Sequence, residues 1–358
     1  MTPNNRSNMS ITRVAKLAGV SSSTVSRVIN NHPKVAPHTL DAVRKAMKTI
    51  GYAPSDRRPG PKPTPRAAVR GASVAFFVLG PGSRRGSPTF EALMRGVSIA
   101  ADRNGLNLVF NQIADAEQLT RRVQDGKLAG MLLNGPLTAQ EVAPELLKTP
   151  TVWLMGNRRR SPWGDVVMPN HYEVGYLGAR YLLNRGHRHM ATFNLDSGHW
   201  VLSLYGHAFR STARADGATT TVFECARQLT KDHWQEHSTD SVDALVQAFL
   251  AASPRPTGLF IAADMQVAKI QPALERAGVE IGPGKVEIVS CNNEQPYLVG
   301  LSPKPTEVDI NAETIGRRGL EQLLWRIAHA DVEERMTTII EPFLVDPTGR
   351  PTDPHHIR

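Results

Sequence analysis

Ser10-Ile-Thr-Arg-Val-Ala-Lys-Leu-Ala-Gly-Val-Ser-Ser-Ser-Thr-Val-Ser-Arg-Val-Ile-Asn30 is the stretch on which the reading of this chain turns. Ile11, Val14, Ala15 and Ala18 recur at helical spacing, and Ser10 stands where an N-cap is needed. Gly19 falls where that helix must stop and reverse. A second helix opens on Ser21, Ser22, Ser23 and Thr24, buries Val25, Val28 and Ile29, and carries Arg27. A third starts near Pro37, a good first-turn residue, buries Leu40, Val43, Met47 and Ile50, and ends at Gly51. Three short helices sharing one core, closed by Val35 and Tyr52, predict a helix-turn-helix, the motif whose second helix enters the major groove of duplex DNA.

Charge points the same way. Residues 1–70 hold thirteen Lys and Arg against two acids, Asp41 and Asp56, so that this segment carries +11 of a net charge of +9 and the rest of the chain sums to −2. A basic head on a near-neutral body is the footprint of a nucleic-acid binder, and its helical periodicity argues against a solvated basic tail.

The chain of 358 residues calls for two or three domains. Residues 55–71 change character: proline falls at 59, 61, 63 and 65, which forbids a helix and favours an extended linker. From Ala72 onward short apolar runs (Ser73–Leu79, Leu106–Phe110, Gly130–Leu133, Thr151–Met155, Met190–Phe193, Thr220–Phe223, Gly258–Ala262, Val286–Ser290) alternate with amphipathic stretches. That alternation predicts βαβ units, and their number predicts two α/β lobes. Two cysteines, Cys225 and Cys291, make no disulfide framework, and no run of about 18 apolar residues exists to span a membrane. The N-terminus lacks the apolar core of a signal peptide, so a cytoplasmic protein is expected.

Val14-Ala-Lys-Leu-Ala-Gly-Val-Ser21, Thr24-Val-Ser-Arg-Val-Ile-Asn30 and Ile50-Gly-Tyr-Ala-Pro54 resemble the DNA-binding head of the lac repressor (LacI/GalR) family. Gly186-His-Arg-His-Met190, Ala262-Ala-Asp264, Ile288-Val-Ser-Cys-Asn-Asn293 and Pro303-Lys-Pro-Thr-Glu-Val-Asp309 resemble its body more loosely. The resemblance implies a helix-turn-helix head (residues 1–54), the linker (55–71), a two-lobed body like the periplasmic sugar-binding proteins (72–346) and a tail (347–358). Lobe 1 is expected over about 72–167 and 303–329, and lobe 2 over about 168–302 and 330–346. It further implies a homodimer on a near-palindromic operator in double-stranded DNA and a small-molecule effector, a sugar or sugar derivative, between the lobes.

By the same resemblance Ser22 and Ser23 match the first two base-reading positions and Arg27 the third. A serine hydroxyl discriminates bases poorly, whereas arginine pairs bidentately with guanine, so Arg27 is expected to carry most of the direct specificity. Ser10, Thr24, Ser26 and Asn30 are placed for phosphate oxygens, which set register, and Lys34 for the backbone or a nearby base.

Two departures stand out. The family's hinge helix, with its minor-groove leucine, has no counterpart in Ser55-Asp-Arg-Arg-Pro-Gly-Pro-Lys-Pro. The alternatives are a strap that turns Arg57, Arg58 and Lys62 into a narrow A·T-rich minor groove, or a plain spacer. Replacing Arg57 and Arg58 by alanine decides between them: the strap requires weaker binding to sites with an A·T-rich centre, the spacer unchanged binding. In the pocket, four positions that grip sugars in the lac repressor branch fall on Met155, Ser203, Ala263 and Asn292, and the family's arginine three residues before Gly206 is Ser203 here. With Phe90, Trp200 and Asp264, and with Trp153, His199 and Tyr205 close by, the expected lining of Phe90, Met155, Trp200, Ser203, Asp264 and Asn292 suits a sugar or another flat neutral ligand. Each aromatic taken singly fits a lobe core as well.

His187-Arg-His189 lacks the ligands for a metal site, and no nucleophile–base pair sits in a recognisable motif, so no metal, cofactor or enzyme activity is expected. A regulator of transcription, most readily a repressor, is the leading expectation. Its rivals are an effector-independent DNA-binding protein and a ligand-binding protein of the periplasmic type.

Overall fold

The computed structural model describes residues 11–29, 35–50, 52, 71–80, 87–137, 142–156, 163–225 and 239–352. The chain divides into two units, Met1–Thr64 and Pro65–Arg358, and the division falls inside the proline-rich stretch.

In the first unit α1 (Ile11–Ala18), α2 (Ser22–Ile29) and α3 (Pro37–Thr49) enclose a small core. Val14, Ala15, Val25, Val28, Val43 and Ala46 are buried in it, and Ala18, Val20, Ile29, Val35, Leu40, Met47, Ile50 and Tyr52 pack around them. The turn from α1 to α2 is possible because Gly19 takes a φ of 66°, which a side chain resists, while Val20 N donates to Ala15 O at 3.0 Å. Pro37 occupies the first turn of α3, where its missing N–H costs nothing. At the far end Tyr52 N donates to Met47 O at 2.9 Å, which seats the tyrosine on the core.

The second unit contains two sheets. The first lobe contributes β1 (Ser73–Leu79), α4 (Pro88–Asn104), β2 (Asn107–Ile113), α5 (Ala116–Asp125), β3 (Leu128–Asn134), α6 (Pro144–Leu147), β4 (Thr151–Leu154) and β5 (Asp165–Pro169). The chain then crosses into the second lobe with α7 (His171–Asn184), β6 (His189–Asn194), α8 (Trp200–Ala215), β7 (Thr219–Glu224), α9 (Thr239–Ala251), β8 (Gly258–Ile261), α10 (Asp264–Arg276), β9 (Glu287–Cys291), α11 (Gln295–Leu298) and β10 (Thr306–Asp309). It returns for α12 (Ala312–Ala328) and β11 (Thr337–Ile340), and ends with β12 (Phe343–Val345) and β13 (Pro351–Thr352). Sheet one runs β11-β5-β4-β3-β1-β2 and is parallel throughout. Sheet two runs β13-β12-β10-β9-β8-β6-β7, with β12 and β13 antiparallel at its edge.

Central strands of such sheets are apolar on both faces because helices cover both. Val74, Phe76 and Val78 of β1 therefore face one core, beneath α4 and α12, and Ala75, Phe77 and Leu79 face the other, with Trp153 and Trp163. Trp153 fills lobe 1: its Nε1 donates to Trp163 O at 2.7 Å, and the two rings meet edge-on.

The expected lobe boundaries need correcting. Pro303 marks a loop and not a crossing. Thr306 and Val308 of β10 continue sheet two beside Val289 and Cys291, and the chain leaves lobe 2 only at 310–311. It comes back not at 330 but after β11, which pairs with β5 through Thr337 opposite Val166. The segment expected as a free tail begins as structure, because Pro351 and Thr352 pair with Val345 and Leu344 of β12.

Helix α12, though late in sequence, is the main cover of lobe 1. It approaches α4 so closely that a Cβ at Gly316 would lie 2.1 Å from Leu93 O, and one at Gly96 would lie 1.9 Å from Glu313 O. Backbone against backbone leaves no flexible atom to give way. Gly316→Ala is expected to destabilise the protein by about 1–3 kcal/mol or more, read as a lower urea midpoint with an unchanged slope.

Candidate functional site

In the first unit the stripe Val25 and Val28 is buried against α1 and α3, so the opposite face of α2 is left to solvent. Ser22, Ser23 and Arg27 are exposed on that face, and Thr24 is half-buried. Ser21 caps the helix: its Oγ accepts Thr24 N at 3.2 Å and lies 2.8 Å from Thr24 Oγ1. Arg13, Lys16, Arg44, Lys45 and Lys48 are also exposed. Ser10, Asn30, Lys34, Arg57, Arg58 and the side chain of Ser26 lie outside the described residues. A short helix with two hydroxyls and a guanidinium on one solvent face, backed by a valine core, has the chemistry to reach base edges.

In the second unit the carboxyl ends of the parallel strands of both sheets are where ligands of such folds lodge. Met155 follows β4 with φ 57° and packs against the cores of both lobes. Phe90, half-buried in the first turn of α4, joins Phe76 and Phe110 at centroid distances of 5.8 and 5.9 Å. Trp200 opens α8 and stands edge-on to His171 at 5.3 Å. One turn on, Ser203 Oγ donates to Ser197 O at 3.1 Å. Asn292 follows β9 with φ 102°, its N–H held by Val308 O. Tyr205, 2% exposed, is core.

Asp264 does not line the cleft as expected. It is fully buried at the start of α10, where it accepts Ser290 Oγ and, at 2.6 Å, Glu294 N, so both oxygens are spent on shaping the loop after β9.

His171, not singled out by the sequence, is 6% exposed, and neither ring nitrogen has a hydrogen-bond partner among the described residues. Burial, with His199 adding to it, pulls its pKa down to about 4, so the ring is neutral and offers one donor and one acceptor. Its only sequence signal is its place just after Asn170, the N-cap of α7. Among the described residues no three His, Cys, Asp or Glu side chains stand together to hold a metal ion, and no helix is long and apolar enough to cross a membrane.

Residues 10–55 match the bacterial regulatory proteins of the lacI family, and residues 179–346 match the periplasmic binding protein-like domain. The head thus carries a lacI-type helix-turn-helix domain, and the body a periplasmic binding protein-like domain. The chain is 26% identical over 349 residues to the HTH-type transcriptional repressor PurR of Erwinia tasmaniensis, covering 93% of this chain and 94% of that one. The PurR of Edwardsiella ictaluri is 27% identical over 350 residues, covering 93% and 94%. Among solved structures, the regulator CelR in complex with cellobiose aligns with a TM-score of 0.59 at 23% identity, covering 94% of this chain and 98% of that one. The lac repressor dimer bound to operator and the anti-inducer ONPF aligns with a TM-score of 0.60 at 18% identity, covering 94% and 98%. These two likenesses establish a shared fold.

Besides Met155, a hydrogen-bonded contact joins the two lobes. Glu294, 5% exposed in the loop after β9, turns Oε1 toward the N-terminus of α4 in the other lobe. There it accepts Thr89 N at 3.2 Å, Thr89 Oγ1 at 2.8 Å and Ser87 Oγ at 3.3 Å. A carboxylate is well placed there, since the first turn of a helix has unpaired N–H groups and a positive dipole end. Nothing in the sequence predicts this reach, because the partners are 205 and 207 residues apart.

Behind this latch Glu307 lies beside Asp264 in a buried acidic cluster and is pushed from 4.5 up to about 7, burial being the main cause; burial and Glu307 raise Asp264 too. A carboxyl whose pKa rises on folding contributes stability that is complete below its unfolded pKa and is lost as pH rises through the folded one. The melting temperature is expected to lose this contribution between about pH 4.5 and 7, and Glu307→Gln should flatten that fall in a pH series of thermal melts. His171 slopes the other way, losing stability as pH drops from 6.5 toward about 4, and its slope should persist in the variant.

Proposed function

We propose that this chain is a cytoplasmic, sequence-specific DNA-binding repressor that works as a homodimer on a near-palindromic operator, and that a small hydroxyl-rich ligand between its lobes sets operator affinity. The observation that carries the first part is the face of α2, with Ser22, Ser23 and Arg27 exposed over the buried Val25 and Val28. One such helix covers too few base pairs to find one site in a genome, and a two-fold dimer doubles the contact. Phosphate contacts by the basic head make the affinity steeply salt-dependent, through counterion release.

The ligand part draws support from the cleft. A neutral, buried His171 whose ring nitrogens have no hydrogen-bond partner among the described residues stands beside Trp200, a pairing that suits a sugar hydroxyl and a sugar face. The cellobiose bound by CelR is of that chemistry. A ligand shifts operator affinity only by its differential affinity for the two lobe arrangements.

Selecting genomic fragments with the purified protein, then measuring the winners by gel shift, tests the reading. A recurrent two-fold sequence held far more tightly than random duplex at ordinary salt is expected. Equal affinity for both would overturn it. A thermal-shift screen with sugars tests the ligand: no stabilisation by any would leave a body that serves only dimerisation.

A further inference from the structure

The most telling unexplained group is Arg210. It lies on α8 with Ser203 and Gly206, three residues whose spacing puts them on one face of that helix. A Cβ at Gly206 would lie 3.1 Å from Arg210 Nη1, so the guanidinium lies back over the glycine, in space that a side chain there would contest. Under it is a small cavity of about 40 Å³, lined among others by Thr192, Asn194, Ser203, Gly206, Arg210 and Glu224. Asn194 and Glu224 end strands β6 and β7, and Ser203 is in the opening turns of α8, so the cavity belongs to the carboxyl-end side of sheet two.

Resting on the reading that the cleft holds a small ligand, we propose that this cavity is an anion subsite in which Arg210 receives a carboxylate of that ligand, so that the effector is a sugar acid and not a neutral sugar.

The chemistry of Arg210 favours this. A guanidinium carries five donors in a fixed fork. Here the contact found is one long hydrogen bond, Nη1 to Thr192 Oγ1 at 3.4 Å, and no carboxylate lies within 4 Å among the described residues. Burial lowers its pKa, as expected for a cation short of a counter-charge, although Glu224 pulls the other way. Glu224 itself is exposed at the rim. A water needs roughly 10–15 Å³ of such space, so the cavity takes a group of about three heavy atoms, which is the size of a carboxylate. Asn194 adds a donor: its Oδ1 already accepts Asp196 N at 2.9 Å and Gln266 Nε2 at 3.4 Å, which turns the amide's remaining capacity to its NH2 end. Fork and carboxylate then match bidentately.

The test is calorimetric titration of the full chain with glucuronate, galacturonate and gluconate, each against glucose or galactose, in the wild type and in Arg210→Met, Arg210→Lys and Glu224→Gln. At least one acid should bind tenfold or more tightly than its neutral parent. Arg210→Met should abolish that preference while leaving the melting temperature and operator binding intact, and Arg210→Lys should keep part of it. Glu224→Gln should tighten acid binding, since it removes a like charge at the rim. Weaker acid binding in Glu224→Gln would make Glu224 a needed part of the site and count against the proposal. No preference for any acid, or acid affinity unchanged in Arg210→Met, would overturn it. Should neutral sugars bind and acids not, the inference fails and the ligand reading stands; should nothing bind, both fail.

Discussion

Arg27→Ala is expected to weaken binding to the selected operator by about 1–3 kcal/mol per half-site, roughly 5- to 150-fold, while the same protein holds random duplex nearly as before. The contrast follows from position. Arg27 is exposed on the face of α2 opposite the buried Val25 and Val28, so its removal leaves the core untouched, and the melting temperature should not move. It adds one charge to a strongly basic head, so sequence-independent affinity falls little. Arg27→Lys keeps the charge and loses the fork, and should fall between the two. Fluorescence anisotropy on operator and scrambled duplexes reads all of this. Equal losses on both duplexes would make Arg27 a phosphate contact and move base reading elsewhere on the helix.

The largest effect on stability is expected at Asp165. It is fully buried, yet it accepts Arg326 Nη2 at 2.7 Å and Nε at 3.1 Å, Gln322 Nε2 at 2.7 Å and Met336 N at 2.9 Å. One carboxylate thus fastens helix α12 and the entry to strand β11 onto β5. Asp165→Ala strips the counter-ion from an arginine whose side chain is 13% exposed, and breaking such a pair from one side costs about 3–5 kcal/mol. That is a large share of the roughly 5–15 kcal/mol that holds a typical domain. Adding Arg326→Met should recover part of the loss, because the unpaired charge is then gone. Chemical denaturation of the two single variants and the double variant checks both statements; a loss under about 1 kcal/mol for Asp165→Ala would mean that Arg326 finds water instead.

Why the head could be read and the cleft only in part is a matter of range. Helix period, the reversal at Gly19 and the proline opening α3 are local, and the same local forces make the structure. Alternating apolar runs likewise identify the strands of β1, β3, β6 and β8. They do not say which sheet a strand joins: Thr306-Glu-Val-Asp309 has no sequence mark that sets it beside β9, and Pro303 misleads. Of the residues expected to line the cleft, Phe90, Met155, Trp200, Ser203 and Asn292 stand near strand or helix ends that the alternation anticipates. Asp264 misleads because an acid at the start of a helix looks the same whether it faces a ligand or ties down a neighbouring loop. Glu294 escapes because its partners arrive from the other lobe, and Arg210 because a guanidinium's reach of several ångströms blurs the helical position from which it is delivered.

The late return of the polypeptide to both sheets has a practical corollary. A single cut between residues 170 and 305 parts β1–β5 of sheet one from β11 and the cover of α12, and parts the first elements of lobe 2 from β10 and β12. Neither lobe is therefore encoded by one uninterrupted piece of the gene, and dissecting them calls for rejoined segments or a permuted chain. A premature stop between residues 310 and 336 would remove β11 from one sheet and β12 from the other, and leave untouched the head with its self-contained valine core.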